Sequence, residues 1–185
     1  MKNFIIFLFL LFSISTFGQV TLPIDEITGK AVFTDVISLD SISAENIYNR
    51  AKLFIANNYN STKNITDLSD DKSHSLVLKA YTTTHFKSWG GIYEAGGFNY
   101  VFKIYCKDGR YKYEISDLTH TGIYDKQNSS SGGAIENEKP ACGTMHISKA
   151  QWDYIKKDCV SNIEELIKAL KQSMEKKSEM EKKDW

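Results

Sequence analysis

The sequence predicts an α+β fold, an antiparallel sheet of about five strands with two helices packed on one face. Three observations carry this expectation. Two segments, one near each end of the chain, show a single apolar stripe at helical spacing. Between them lie runs of alternating apolar and polar residues, the period of a half-buried strand. Ten Tyr and ten Phe accompany only two Pro, a composition that favours sheet. The order reads strand, helix, about four strands, long loop, long helix. Two one-striped helices and a set of alternating strands bury most simply as two layers.

The chain opens with a separate signal. Met1-Lys2-Asn3 is a short positive region, Phe4 to Phe12 an unbroken apolar run, and Ser13 to Gly18 a small-residue stretch. This is the tripartite pattern of a cleavable secretory signal peptide over residues 1–18, with cleavage expected between Gly18 and Gln19. The apolar run falls well short of the roughly 20 residues that span a bilayer, and no second run follows. No transmembrane segment is therefore expected in the mature chain. The expected setting is exported, in the periplasm or outside the cell. No Cys stands near the junction, which argues against a lipid anchor.

From Gln19 the expected order of elements is as follows. Leu22 to Lys30 contains a Pro and a Gly and reads as an extended lead-in with a turn. Ala31 to Leu39 is rich in β-branched residues and reads as the first strand. Ser43 is placed to cap a helix from Ala44 to Asn58, in which Ala44, Ile47, Tyr48, Ala51, Phe54 and Ile55 form the stripe. Ile65 to Ser69 is a short strand, Asp70-Asp71-Lys72 a turn, and Ser75 to Thr83 an alternating strand. Phe98 to Cys106 and Tyr111 to Ser116 alternate on either side of Asp108-Gly109. That dipeptide signals a hairpin whose type I′ turn needs positive φ at both central residues.

Residues 120–140 are polar, Gly/Ser-rich and aperiodic, and read as a long mobile surface loop. The last helix begins at a capping box, Ser148 with Gln151, and Ile147 and Trp152 stand at staple positions. Trp152, Ile155, Cys159, Ile163, Leu166, Ile167, Leu170 and Met174 share one face. The domain is thus expected over residues 19–175, with a charged tail at 176–185 that frays. Lys171–Glu175 just before the tail and Glu179–Lys183 within it are helix-supporting pairs, worth only about 0.2–0.5 kcal/mol each. Asn-x-Ser/Thr matches at Asn60, Asn64 and Asn128 are expected by chance in so Asn- and Ser-rich a chain.

This order and its local motifs resemble a family of secreted bacterial proteins, a domain of unknown function with a TATA-binding-protein-like (TBP-like) fold. The residues that carry the resemblance are Leu22-Pro23-Ile24-Asp25-Glu26 with Thr28-Gly29-Lys30, the first helix, the Lys107 to Tyr113 hairpin and Leu118-Thr119-His120. The resemblance spans roughly residues 22–120 and extends to the last helix in type only. It implies a curved sheet of about five strands backed by two helices. It implies no activity, since none is assigned to the family, and the fold name does not import DNA binding, because function lives in sites and not in folds.

The chemistry of the sequence is sparse. Acids and bases balance at 23 each, so no nucleic-acid partner is expected, and no polybasic membrane contact. Cys106, Cys142 and Cys159 allow at most one internal bridge, and an exported chain can form it. Cys142–Cys159 is the first candidate, and Cys106–Cys159 the second if the last helix packs over the hairpin. No C-x-x-C pair exists and no His stands at ligand spacing from a Cys, so no metal is expected. No G-x-S-x-G, H-E-x-x-H or P-loop pattern occurs, and neither catalytic residues nor a cofactor are assigned. The four His, at 74, 85, 120 and 146, read as ordinary surface or strand-end residues.

The stretch Ser88 to Gly97 stands out. Two glycine pairs permit an open or sharply bent backbone in the connection between strands, and Trp89 and Tyr93 can offer stacking surfaces to a ligand or partner. These observations favour a non-catalytic binding or protein-interaction domain of the cell envelope, whose partner is an envelope protein or a small ligand. The alternative is a small exported hydrolase that uses His and acidic residues gathered by the fold.

Overall fold

The computed structural model describes residues 20–59, 67–123 and 130–177. The expected signal peptide, the three Asn-x-Ser/Thr sites, Ile65 and the tail beyond Lys177 lie outside the described residues. Eight elements follow in order: β1 (Phe33–Ser38), α1 (Ala44–Asn58), β2 (Asp67–Asp70), β3 (Ser75–Ser88), β4 (Gly91–Lys107), β5 (Arg110–Thr121), β6 (Gly133–Ala134) and α2 (Lys149–Glu175). The strands form one open antiparallel sheet in the order β1-β5-β4-β3-β2. The two-residue β6 joins the far end of β5, opposite Thr119 and His120, on the edge that β1 occupies farther back.

Both helices cover one face. Along β4 every second residue from Phe98 to Cys106 points into the core, as do Leu76, Leu78 and Ala80 of β3. α1 meets this face with Phe54, edge-on to Phe102 at 6.5 Å, and α2 with Trp152, stacked on Phe98 at 5.9 Å. Each large apolar side chain buried this way contributes about 1.5–3 kcal/mol. The helix ends are held as their sequences require. Ser43 accepts from the Asn46 N–H, and Ser148 and Gln151 form the reciprocal box. The buried Arg50 of α1 donates to the Met174 carbonyl at the C-terminus of α2, at 2.6 Å, where a cation is favoured. Lys171 reaches Asp35 on β1, at 3.1 Å, rather than Glu175 on its own helix.

Two bulges decide which residues face inward. Between Asn99↔Thr119 and Val101↔Ser116 the residues Asp117 and Leu118 together oppose Tyr100. The extra residue reverses the alternation, so β5 buries Tyr111, Tyr113 and Ile115 before it and Leu118 and His120 after it. Between Thr83↔Gly97 and His85↔Glu94 the residues Ala95 and Gly96 oppose Thr84. Gly96 has φ of 78°, and a Cβ there would stand 2.1 Å from the Thr121 carbonyl oxygen. Only glycine fits that approach.

Three expectations need correction. The glycine-rich stretch 88–97 is not an open connection. β3 continues to Ser88 and β4 begins at Gly91, so Trp89-Gly90 alone turns the chain. The Asp108-Gly109 turn is not type I′, because positive φ falls on Gly109 and not on Asp108. Asp108 is drawn away by α1, whose Ala44 N–H it accepts at 2.7 Å, while Gly109 bonds Leu39 and Ile42. Residues 130–140 are not a loose surface loop either. They carry β6 and the buried Ile135, and they are bonded to His120 and Trp152.

Candidate functional site

The site builds outward from His120. The bulge at Asp117 turns its ring inward, where it is buried beside Phe98 and Trp152. One ring nitrogen, Nδ1, accepts the Gly132 N–H at 2.9 Å. Nε2 therefore carries the proton and donates to the Ala95 carbonyl at 2.7 Å. Burial holds the imidazole below its ordinary pKa of 6.5, against the opposing pull of the Ala95 carbonyl. Both nitrogens are thus committed to backbone, and His120 is a brace and not a base. Trp152 is fixed in turn by its Nε1–H, which donates to the Asn137 carbonyl at 2.8 Å. Gly132 lies against this ring so closely that a Cβ would meet it at 2.1 Å.

Beyond this brace the β3–β4 hairpin continues without a third strand among the described residues, held to α2 at its base by the His85 N–H, which donates to Asp158 at 2.9 Å. β5 ends at Thr121, opposite Gly97, so residues 91–96 pair only with β3. At about 3.3 Å per residue the two-stranded ribbon is on the order of 20 Å long. Trp89 stands at its turn, fully exposed. Ile92 is 70% exposed, and Tyr93, 47% exposed, stacks on its cross-strand partner Phe86 at 5.8 Å. Six residues from Ser88 to Tyr93 carry no charge. Trp89 and Tyr93 are therefore brought to one apolar tip.

Beside the ribbon lies a cavity of about 180 Å³. Phe86, Ala95, Ile123, Ile147 and Ile155 supply its apolar lining, and Glu94 and His146 its ionisable groups. Exposed Ile123 precedes it in the chain after β5, and exposed Met145 stands just before α2. Nothing local in the sequence marks these residues as neighbours, since hairpin, loop and helix are joined by contacts distant in the chain: His120 to Ala95 and Gly132, Trp152 to Asn137, and the His85 N–H to Asp158. Ile92 was the one addition within reach of sequence reasoning, because it neighbours Tyr93 in an uncharged run.

The remaining candidates do not converge. His74 sits in the β2–β3 turn, edge-on to Tyr48 at 5.5 Å. His85 Nδ1 lies 3.6 Å from Asp158, and no hydroxyl or thiol bonds to it among the described residues. All three cysteines are free thiols in the structure. The bridge expected between Cys142 and Cys159 is not formed there, nor is the Cys106–Cys159 alternative. Cys142 is tied to the Ser131 carbonyl before α2, whereas Cys159 lies eleven residues past the Ser148 cap, about 16 Å along the helix. Burial pushes the Cys106 thiol up to about 12 and raises Cys159 as well, with Asp158 adding to the latter. Among the described residues no three His, Cys, Asp or Glu are grouped to hold a metal ion. No described helix is long and apolar enough to cross a membrane.

An open antiparallel sheet backed on one face by two helices is a TBP-like fold. Residues 33–121 match the family described as a domain of unknown function (DUF4468) with TBP-like fold. The match begins at β1 and ends with β5, so neither the 22–30 lead-in nor α2 lies within it. A TBP-like protein from Parabacteroides distasonis is similar in structure, with a TM-score of 0.64 over 82% of this chain and 96% of that one, at 16% identity. A DUF4468 family protein from Bacteroides ovatus is similar with a TM-score of 0.60 over 82% and 90%, also at 16% identity. At that identity the likeness establishes fold alone. No curated protein matches the chain.

Proposed function

We propose that this is a non-catalytic binding domain that engages a protein partner in the cell envelope through the tip of the β3–β4 hairpin. The observation that carries the reading is the fully exposed Trp89 at the uncharged tip of the ribbon, with Ile92 and Tyr93 beside it. Water gains nothing from such a tip, whereas a partner's pocket does, and buried Trp and Tyr anchors dominate interface energies. The adjoining 180 Å³ cavity can accept one apolar side chain in return. The signal pattern of residues 1–18 supports the envelope setting. The hydrolase reading has less support, because His120 is spent on backbone and His85 faces Asp158 without a nucleophile bonded to it.

The test has two steps. Tagged protein is crosslinked in its native envelope fraction and recovered with its N-terminus at Gln19; the co-purifying chain is then purified and rebound in solution. Trp89→Ala should weaken that binding by about 30-fold, the loss of a hot-spot anchor of about 2 kcal/mol. Tyr93→Ala should weaken it less, since Phe86 retains part of the aromatic surface. A partner whose affinity is the same for wild type and Trp89→Ala would remove the hairpin tip from the reading.

A further inference from the structure

The sheet face turned away from the helices carries a different chemistry. Strand register sets its residues in rows across three strands: Ser38↔Arg110↔Lys107, then Val36↔Lys112↔Tyr105, then Thr34↔Glu114↔Lys103. Neighbouring strands lie about 4.8 Å apart, so Lys107, Arg110 and Lys112 can reach one common anion. Glu114 is shared by Lys103 at 2.8 Å and Lys112 at 3.5 Å. Lys107 and Arg110 form no ion pair among the described residues, and the neighbouring Asp108 is occupied by the Ala44 N–H. Val36, Tyr105, Lys107, Arg110, Tyr111 and Lys112 line a cleft of about 450 Å³, in which Tyr105 is 38% and Val36 56% exposed. A chain with balanced total charge thus concentrates unpaired cations at one end of one face.

We infer that this cleft binds a small ligand in which a tetrahedral oxyanion, a phosphate or sulfate ester, is joined to a planar apolar group. The Arg110 fork and the Lys107 and Lys112 ammonium groups match the oxyanion. Tyr105 and Val36 match the apolar body. The volume is that of a small-molecule site. An extended polyanion fits less well, because in the next row Lys103 is already paired with Glu114 and offers no free cation to a chain that continued over the sheet. This site is independent of the hairpin tip.

The test titrates the intact protein with phenyl phosphate, phenyl sulfate and inorganic phosphate, followed by amide chemical shifts and by calorimetry. Saturable, salt-sensitive binding is expected, with shifts centred on Val36, Tyr105, Lys107, Arg110 and Lys112. The double variant Lys107→Gln/Arg110→Gln should weaken it by at least about tenfold, the loss of charge-assisted bonds discounted for exposure. Tyr105→Ala should weaken phenyl phosphate and leave inorganic phosphate unchanged, while Trp89→Ala should alter neither. The relative affinity of the two esters assigns the anion. Unchanged melting temperatures certify the variants, and Lys112→Gln replaces the double variant if that one melts early. No saturable response up to about 10 mM would overturn the inference, as would full binding by the charge-deleted variants. A single-stranded oligonucleotide that displaces the esters from the same residues at far lower concentration would overturn it in favour of a polyanion.

Discussion

Replacing His120 separates the brace from the rest of the core. His120→Phe keeps a ring between Phe98 and Trp152 but removes both hydrogen bonds. The Gly132 N–H is buried and would be left without its acceptor, a cost of about 1–3 kcal/mol. The Ala95 carbonyl loses its donor as well; because Ala95 lines the 180 Å³ cavity, a water drawn in there can replace part of the bond, and its share is put at the low end of that range. The expected loss is therefore about 2–4 kcal/mol for His120→Phe, and about 1–2 kcal/mol more for His120→Ala, which also leaves a void. Urea unfolding followed by both far-UV circular dichroism and fluorescence measures it. The same ring gives a pH signature. Its folded pKa lies below the ordinary 6.5, so below that pH the unfolded chain takes up a proton that the native state refuses. Stability should be intact above pH 6.5 and fall as the pH drops towards the folded value. His120→Phe should lose that part of the slope. A His120→Phe protein within about 0.5 kcal/mol of wild type, with the acid slope unchanged, would refute the brace.

Two further outcomes probe the same region. Gly132→Ala should destabilise by about 1–3 kcal/mol or more, since the new methyl group meets a Trp152 ring that a hydrogen bond holds in place; an unaltered melting temperature would contradict this packing. With a thiol reagent, the partly buried Cys142 should react in the native state while Cys106 and Cys159 react only on unfolding, and the denatured chain should yield all three thiols. A denatured count of one would restore the disulfide.

The legible parts of the sequence were those whose determinants are local. Ser43 before α1, the Ser148–Gln151 box before α2 and the alternation of Phe98 to Cys106 each act within a few residues, and each is found where the pattern places it. What escaped depends on distant partners. Asp-Gly signals a type I′ turn only if Asp108 is free, and here a helix N-terminus sixty-four positions earlier claims it. Residues 130–140 lack periodicity because their order comes from His120 and Trp152 side chains, not from a repeating face of their own. Trp89 and Tyr93 could be singled out as exposed aromatics, but the cavity beside them could not, because three separate segments compose it.

The bulge at Gly96 links the fold to the candidate site. Strands of unequal length must part somewhere, and here they part where the Thr121 carbonyl closes to within 2.1 Å of the space a Cβ would fill. That contact lets β5 finish tightly against β4 and sends the chain on towards the cavity wall at Ile123. It also shifts the parity of the β3–β4 pairs, so that Phe86 and Tyr93 face each other on one side of the ribbon while Ile92 faces the other. Without the shift, an uninterrupted alternation would set Tyr93 opposite a different partner and remove the aromatic pair beneath the tip. The two glycine pairs thus do separate work. Gly90 and Gly91 allow the turn that displays Trp89, and Gly96 with Gly97 decides where the exposed ribbon begins and which way its side chains point.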